Sequence, residues 1–274
     1  MAGTVSAPAA VVALLCRTSD RGAGGARGAR ALAERLAERL DTEARLVGSP
    51  GTPRDGHWSD DLRDSRGCIL EAGGQVEDAL VAGRFPVLTA SDCTICLTTL
   101  PTVKRMLPEA QILWLDAHGD FNTPQTTPSD FLGGMCLGAA CGRWDAGFDG
   151  SVDPADVLMA GVRDLDAGEV AQLDLAGVAR IERPSLVADA VDGRDVYVHL
   201  DLDVLDPDVF PARFPASGGL SVPGLRRLLD EVAMAAGRIV GVEVTAFEAP
   251  HDAGERERLT DLAARAIEPL LPPR

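Results

Sequence analysis

Residues 114–120 read Trp-Leu-Asp-Ala-His-Gly-Asp, and residues 199–203 read His-Leu-Asp-Leu-Asp. Each stretch ends an apolar run that is typical of a buried strand. Side chains alternate between the two sides of a strand, so the polar residues of each stretch point the same way. They are Asp116, His118 and Asp120 in the first stretch and Asp201 and Asp203 in the second. Half-buried carboxylates of like charge are costly unless a cation compensates them, so the pattern predicts a metal site.

The predicted ligands are mostly carboxylates with one imidazole. Such a set suits hard or borderline ions, and it favours Mn²⁺ over zinc. Five ligands from two strand ends can hold more than one ion, and a pair of ions makes water a strong nucleophile at neutral pH. We therefore expect two Mn²⁺ ions as cofactors and metal-assisted hydrolysis as the reaction. Aspartates after strands can also close turns, and Asp206 before Pro207 is interpreted in that way.

Composition excludes several classes of partner. The 274 residues carry a formal net charge of -16 and contain no run rich in Lys or Arg, which argues against nucleic acid and anionic membrane surfaces. Residues 1–6 lack the basic segment of a signal peptide, and no apolar run reaches membrane-spanning length. Six cysteines without zinc-site spacing indicate reduced thiols, so we expect a cytoplasmic protein.

Apolar runs alternate with helical patterns along the chain, which predicts an α/β fold with a mostly parallel sheet in one domain, residues 1–274. Open parallel sheets bind ligands at the carboxyl ends of their strands. The polar residues 48–67 are predicted to form a loop, with a helix only from Val76 to Ala82. The glycine-rich residues 22–28 are interpreted as a flexible surface loop. A dinucleotide fingerprint is disfavoured because Arg27 occupies the place of its third glycine.

Two motifs resemble the signatures of the arginase (ureohydrolase) family. Residues 116–122 read Asp-Ala-His-Gly-Asp-Phe-Asn, and residues 201–207 read Asp-Leu-Asp-Val-Leu-Asp-Pro. The resemblance implies a three-layer α/β/α sandwich and a binuclear manganese centre. It also implies roles for the five ligands. Asp116 and Asp201 bridge the two ions, His118 and Asp203 complete one site, and Asp120 belongs to the other and orients the nucleophile as the catalytic base.

The chain departs from the family at two positions. Cys93, in the sequence Ala-Ser-Asp-Cys-Thr of residues 90–94, stands where the family has its last ligand, a histidine. A small buried apolar residue is one interpretation of Cys93. We favour a metal ligand, because a helix start beside a dication readily deprotonates a thiol. The second departure is Gly133, which replaces a histidine thought to relay protons in arginases.

Positions that bind the amino-acid end of the substrate match the family. The resemblance places Asn122, Thr127 and Ser129 at the α-carboxylate, and Asp166 and Glu169 at the α-amino group. Asp166 and Glu169 can also act as an acid pair that stabilises a helix N-terminus. The expected partner is a small-molecule guanidino amino acid.

The guanidino end of the substrate is less clearly marked. Glu243 is the expected contact of the guanidinium, and Glu248 is the alternative. Residues 211–215 differ from the family pattern, so Arg213 and Phe214 are expected to shape this end of the pocket.

Together, the departures resemble those family members that hydrolyse Nω-hydroxy-L-arginine to hydroxyurea and L-ornithine in D-cycloserine biosynthesis. An N-hydroxyl group lowers the basicity of a guanidine, so less help from a proton relay is needed. The alternatives are an arginase that hydrolyses L-arginine to urea and L-ornithine, and a catalytically inactive metal-binding homologue. The sequence lacks the long C-terminal tail that helps arginases form trimers, so we expect a monomer.

Overall fold

The computed structural model describes residues 8–273, and the segment 1–6 considered for a signal peptide lies outside this range. Eight parallel strands form one sheet in the order β2-β1-β3-β8-β7-β4-β5-β6. The strands are β1 Ala9–Leu14, β2 Ala44–Val47, β3 Phe85–Thr89, β4 Gln111–Leu115, β5 Val157–Ala160, β6 Ala179–Ile181, β7 Asp195–Asp201 and β8 Arg238–Thr245.

Helices connect successive strands and cover both faces of the sheet. They are α1 Gly25–Arg39, α2 Trp58–Val81, α3 Cys96–Met106, α4 Cys136–Ala140, α5 Ala167–Ala176, α6 Val187–Val191, α7 Val222–Ala235 and α8 Ala253–Ile267. Short 3₁₀ turns at Cys93–Ile95, Gly133–Met135 and Leu202–Val204 follow or precede these elements near the predicted site.

Two hydrophobic cores lie on opposite faces of the sheet. One contains the apolar sides of α1, α7 and α8, and the other those of α2, α3 and α4. In α1 the buried side chains include Leu32 and Leu36, one helical turn apart, as expected of an amphipathic helix. The predicted α/β/α sandwich with a parallel sheet is confirmed.

Helix α2 was not predicted correctly. It begins at Trp58, whereas the sequence led us to expect a loop up to residue 67. His57 caps the helix by accepting a hydrogen bond from the Ser59 amide. The buried positions of α2 form a stripe along one side of the helix, and the polar residues between them obscure the helical pattern in the sequence. Asp61 lies on that stripe, where it pairs with Arg17 at 2.8 Å.

Cysteine usage also differs from the expectation of six reduced thiols. Cys16, after β1, and Cys68, in α2, are joined by a disulfide bond. Cys93, Cys96, Cys136 and Cys141 are free and buried. None of the helices within residues 8–273 combines the length and the apolar character needed to cross a bilayer.

Strand order brings the chemically important segments together. Strands β3, β8, β7 and β4 are neighbours at the centre of the sheet, with Asp201 opposite Thr245 and Leu200 opposite Leu115. Because parallel strands end at the same edge, the segments that follow Thr89, Leu115 and Asp201 meet there.

Candidate metal and substrate site

Four of the predicted ligands converge at this edge of the sheet. His118 Nδ1 lies 3.0 Å from Asp203 Oδ2 and 3.5 Å from Asp116 Oδ1. The possible ligand atoms of Asp116, His118 and Asp203 all lie within 4.8 Å of one another. Asp201 is the last residue of β7 and Asp203 lies in the 3₁₀ turn that follows, where its amide donates a hydrogen bond to the Asp201 carboxylate at 2.8 Å. The structure therefore brings together the residues of both motifs.

Backbone hydrogen bonds hold these carboxylates in place. Asp116 accepts from the His118 amide at 2.7 Å, and Asp203 accepts from the Ala117 amide at 3.1 Å, which ties the two motifs to each other. Asp120 has a φ of 50°, in the left-handed region that non-glycine residues rarely adopt. Such strain persists only when surrounding structure supports it, and it is common at functional sites.

Burial makes Asp120, Asp201 and Asp203 hard to ionise without added positive charge. Burial and the charge of Asp203 raise the pKa of Asp201 to about 7. Burial and Asp116 raise the pKa of Asp120 well above its usual value, and the same two causes raise that of Asp203. Burial lowers the pKa of His118, but its hydrogen bonds with Asp116 and Asp203 outweigh this and raise it to about 12.

Cys93 lies directly against this cluster. Its Sγ is 2.9 Å from Asp201 Oδ2 and 3.9 Å from Asp116 Oδ2, and the residue is 4% exposed. Burial and the charge of Asp201 raise the pKa of the thiol well above its usual value. A thiolate at this position therefore depends on a nearby cation, which is how metal ions deprotonate thiols.

The donor set fits divalent cations. Within residues 8–273, neither Lys nor Arg forms an ion pair with the carboxylates of the cluster, and His118 pairs with Asp116 and Asp203. Buried carboxylates of like charge are stable only when a cation or a proton compensates them. The predicted residues that could hold ions are Cys93, Asp116, His118, Asp120, Asp201 and Asp203.

A cavity of about 450 Å³ opens above the cluster. Asn122, Ser129, Asp166 and Glu169 line it, as expected of residues that bind the amino-acid end of a substrate. Thr127 was predicted to act with them, but it does not line the cavity. Its Oγ1 is buried without a hydrogen-bond partner among the described residues.

The acid pair Asp166 and Glu169 has structural contacts as well as an exposed edge in the cavity. Asp166 accepts from the Asn122 side-chain amide at 2.9 Å. Glu169 accepts from the backbone amides of Phe121 at 2.7 Å and of Asp166 at 3.3 Å at the start of α5. Burial raises the pKa of Glu169 to about 7. The two interpretations of this pair, helix start and substrate contact, are geometrically compatible.

Glu243 does not line the cavity. It is 0% exposed, and its carboxylate contacts Tyr197 Oη at 3.0 Å and His199 Nδ1 at 2.6 Å inside the sheet. A substrate guanidinium in the cavity cannot reach it, so the prediction that Glu243 contacts this group is wrong. Glu248, the alternative, lines the cavity.

The glycine-rich loop makes room for Glu248. The backbone amide of Gly24 donates to Glu248 Oε2 at 3.0 Å. A Cβ at Gly22 or Gly24 would lie 2.4 Å from a carboxylate oxygen of Glu248. The loop is thus packed against the site, and our interpretation of it as a flexible surface loop is wrong.

Phe131 fills the space beside Gly133. A Cβ at Gly133 would lie 2.5 Å from Cε1 of the Phe131 ring. The ring centroid lies 4.9 Å from that of Phe214, and the Arg21 guanidinium stacks over Phe131 at 4.8 Å. An aromatic cluster therefore occupies the wall where the resemblance places a proton-relaying histidine.

Sequence reasoning missed several residues of the site. Phe131, Arg21 and Asp20 line the cavity without a recognisable motif. His199 was quoted in the second motif, but it was not assigned a role. Its Nε2 lies 3.2 Å from Cys93 Sγ. Strand alternation, which places His199 on the same side of β7 as Asp201, was the available signal.

Comparison with known proteins agrees with this geometry. The sequence profile of the Arginase family matches residues 59–271. The Nω-hydroxy-L-arginine amidinohydrolase of Streptomyces lavendulae is 35% identical over 261 residues, which cover 92% of this chain and 94% of the relative. The arginase of Bacillus caldovelox is 33% identical over 188 residues, which cover 58% of this chain and 62% of the relative.

Solved structures show the same fold. The arginase of Bacillus subtilis superposes with a TM-score of 0.81 at 24% identity, over 97% of this chain and 99% of that chain. The chain belongs to the arginase family, as the two motifs predicted, and its class is that of an amidine-hydrolysing enzyme.

Proposed function

We propose that this enzyme hydrolyses Nω-hydroxy-L-arginine to hydroxyurea and L-ornithine with two Mn²⁺ ions. Two findings support the proposal. The relative named for this substrate aligns along 94% of its own length. The site also carries Cys93, and Gly133 packed against the Phe131 ring, at the two positions where the resemblance to arginases implies histidines. A role in D-cycloserine biosynthesis is part of the proposal.

The residues that would hold the ions are Asp116, Asp201, His118, Asp203, Asp120 and Cys93. When bound, they lower the pKa of a water molecule and stabilise negative charge that develops at the guanidino carbon. A carboxylate-rich set is the reason to prefer manganese over softer ions.

Asp120 is the proposed proton carrier. Its carboxylate is 7% exposed and lines the cavity floor. It accepts a proton from the attacking water and returns it to the δ-nitrogen as the bond between that nitrogen and the guanidino carbon breaks. A group that acts as both general base and general acid must reach the water and the departing nitrogen, and Asp120 is placed for both because it lines the cavity beside the cluster.

The amino-acid end of the substrate determines its orientation. Asn122 and Ser129 are the proposed contacts of the α-carboxylate, and Asp166 and Glu169 those of the α-amino group. Glu248, which also lines the cavity, is the proposed contact of the hydroxyguanidine. The Glu248 carboxylate is half-buried, and burial raises its pKa. It is therefore suited to accept a hydrogen bond from a neutral hydroxyguanidine as well as to pair with a cationic one.

The choice of substrate depends mainly on the position of the Phe131 ring, which lies 2.5 Å from where a Cβ at position 133 would be. No ionisable side chain can extend from position 133 without displacing the ring. L-Arginine has a strongly basic guanidinium, whose departing amine needs a proton relay. An N-hydroxyguanidine is less basic, so Asp120 alone can serve it.

A two-substrate assay tests the proposal. The Mn²⁺-loaded enzyme is incubated with L-arginine or with Nω-hydroxy-L-arginine, and ornithine, urea and hydroxyurea are quantified. We expect kcat/KM to be higher for Nω-hydroxy-L-arginine, with hydroxyurea as product. Faster hydrolysis of L-arginine would assign an arginase, and turnover of neither by a metal-loaded sample would assign an inactive homologue.

A further inference from the structure

We propose that His199 is a metal ligand, with its Nε2 completing the ion site that contains Cys93. The possible ligand atoms of Cys93, Asp116 and His199 lie within 4.8 Å of one another, and all three residues are buried. The proposal deepens the proposed function, because it assigns a nitrogen donor to the site where the family histidine is missing.

Neighbouring strands fix the His199 ring in one orientation. Trp114 is its cross-strand partner on β4, and the two rings stack with centroids 3.6 Å apart and planes 2° from parallel. Glu243 is its partner on β8. Nδ1 lies 2.6 Å from Glu243 Oε1, so the ring cannot rotate without breaking this bond. The opposite nitrogen, Nε2, therefore faces Cys93.

Glu243 sets the tautomer that a ligand needs. Its Oε2 accepts from the Tyr197 hydroxyl at 3.0 Å, and its Oε1 is the acceptor for Nδ1–H of His199. With the proton on Nδ1, Nε2 carries a lone pair. A carboxylate that orients a histidine through the nitrogen away from the metal is the usual arrangement at metal sites.

Hydrogen bonds around Nε2 converge on the Cys93 sulfur. Cys93 Sγ lies 2.9 Å from Asp201 Oδ2 and 3.2 Å from His199 Nε2. The Thr245 hydroxyl, which donates to Asp201 Oδ2 at 3.2 Å, is the other hydrogen-bond donor of this buried group. A divalent cation that replaces the thiol proton would be shared by the sulfur, the carboxylate and the imidazole, which already lie close together.

A crystal structure of the Mn²⁺-loaded enzyme, with an anomalous difference map at the manganese edge, tests the assignment directly. We expect Nε2 at a bonding distance of about 2.0–2.3 Å from one ion. If Nε2 remains hydrogen-bonded to Cys93 Sγ, or if no ion lies within bonding distance of His199, the proposal is overturned. The result does not depend on which substrate is hydrolysed, so it is separate from the two-substrate assay.

Matched variants give a second readout in solution. His199→Asn keeps an amide that can donate to Glu243 but removes Nε2. Tyr197→Phe removes another partner of Glu243 and touches no proposed ligand. In Mn²⁺ titrations followed by calorimetry, we expect His199→Asn to lower the binding affinity for one of the two ions by at least about tenfold. Tyr197→Phe should bind both ions with wild-type affinity. Equal affinities in His199→Asn and wild type would overturn the proposal. If the Asn variant does not fold, the anomalous map alone decides.

Discussion

Introducing histidine at position 133 should reduce activity unless Phe131 is removed as well. The φ angle of Gly133 is not in the left-handed region, so space is the obstacle to a side chain there. A new Cβ would lie 2.5 Å and 2.6 Å from two Phe131 ring carbons. Ordinary carbon contacts are roughly 3.5–4.0 Å, so the ring must move by about 1 Å or more.

That movement has a calculable cost. It breaks the contact of Phe131 with Phe214, worth about 0.5–1.5 kcal/mol, and the stacking of Arg21, worth about 0.5–1 kcal/mol. If the loss falls on the substrate-bound state, Gly133→His lowers kcat/KM for Nω-hydroxy-L-arginine by about 5- to 70-fold. In the double variant Phe131→Ala/Gly133→His the imidazole has room, and a positioned proton relay contributes about 10²–10⁴-fold.

The assay is a double-mutant cycle. The wild-type enzyme, both single variants and the double variant are compared by kcat/KM on L-arginine and on Nω-hydroxy-L-arginine. We expect L-arginine hydrolysis to rise by about 100-fold or more in the double variant relative to Phe131→Ala, and not to rise in Gly133→His. If Gly133→His alone gains L-arginine hydrolysis, or if the two changes are additive, Phe131 does not block position 133 and the reasoning is refuted.

Three further predictions concern residues around the site. Glu248→Gln should raise the KM for Nω-hydroxy-L-arginine, which steady-state kinetics measures. Glu243→Gln should instead lower the free energy of unfolding by about 1–3 kcal/mol, because it weakens buried hydrogen bonds, and urea unfolding measures this effect. Burial and Asp92 raise the pKa of Asp20 from 3.8 to about 7. The folded chain therefore keeps a proton that the unfolded chain releases near pH 4, so Asp20 lowers the free energy of unfolding increasingly as pH rises towards 7. In urea unfolding, the stability of Asp20→Asn relative to wild type should increase by up to about 4 kcal/mol between pH 4 and pH 8. Reducing the Cys16–Cys68 bond should cost about 2–4 kcal/mol of unfolding free energy, measured with and without reductant.

Each of these predictions has a control. A KM effect of Glu243→Gln equal to that of Glu248→Gln would contradict the separation of the two acids. A stability difference between Asp20→Asn and wild type that does not change with pH would contradict the raised pKa. The Cys16→Ser/Cys68→Ser variant should show no response to reductant, and an equal response in that variant would place the effect elsewhere.

The sheet could be predicted from sequence because its strands are buried on both faces. Continuous apolar runs such as the one before Asp116 have few alternatives in a chain of this size. Helix α2 was missed since its buried positions are separated by charged residues, and one of them is itself an aspartate, Asp61. Its burial depends on Arg17, a partner 44 residues away that no local pattern reveals.

The metal-side residues were predictable for a similar reason. The close spacing of Asp116, His118 and Asp120 is a local property of the sequence, which is why one motif contains all three. They lie in the loop that follows β4, and Asp120 has a φ of 50°, so loop geometry and not strand alternation positions them. Glu243 was misassigned because it sits two residues before the end of β8, inside the sheet and opposite His199. Which acid reaches the cavity depends on strand register, and register is set by tertiary contacts that one sequence does not display.

The bond between Gly24 and Glu248 joins positions 224 residues apart in the chain. During synthesis, the segments that carry Cys93, Asp116 and Asp203 emerge well before β8 and the loop that carries Glu248. Contacts between distant segments form slowly, because the intervening chain must first be ordered. A growing chain therefore has all its proposed metal ligands before it has a complete pocket, and selection for substrate begins only when the last strand inserts between β3 and β7.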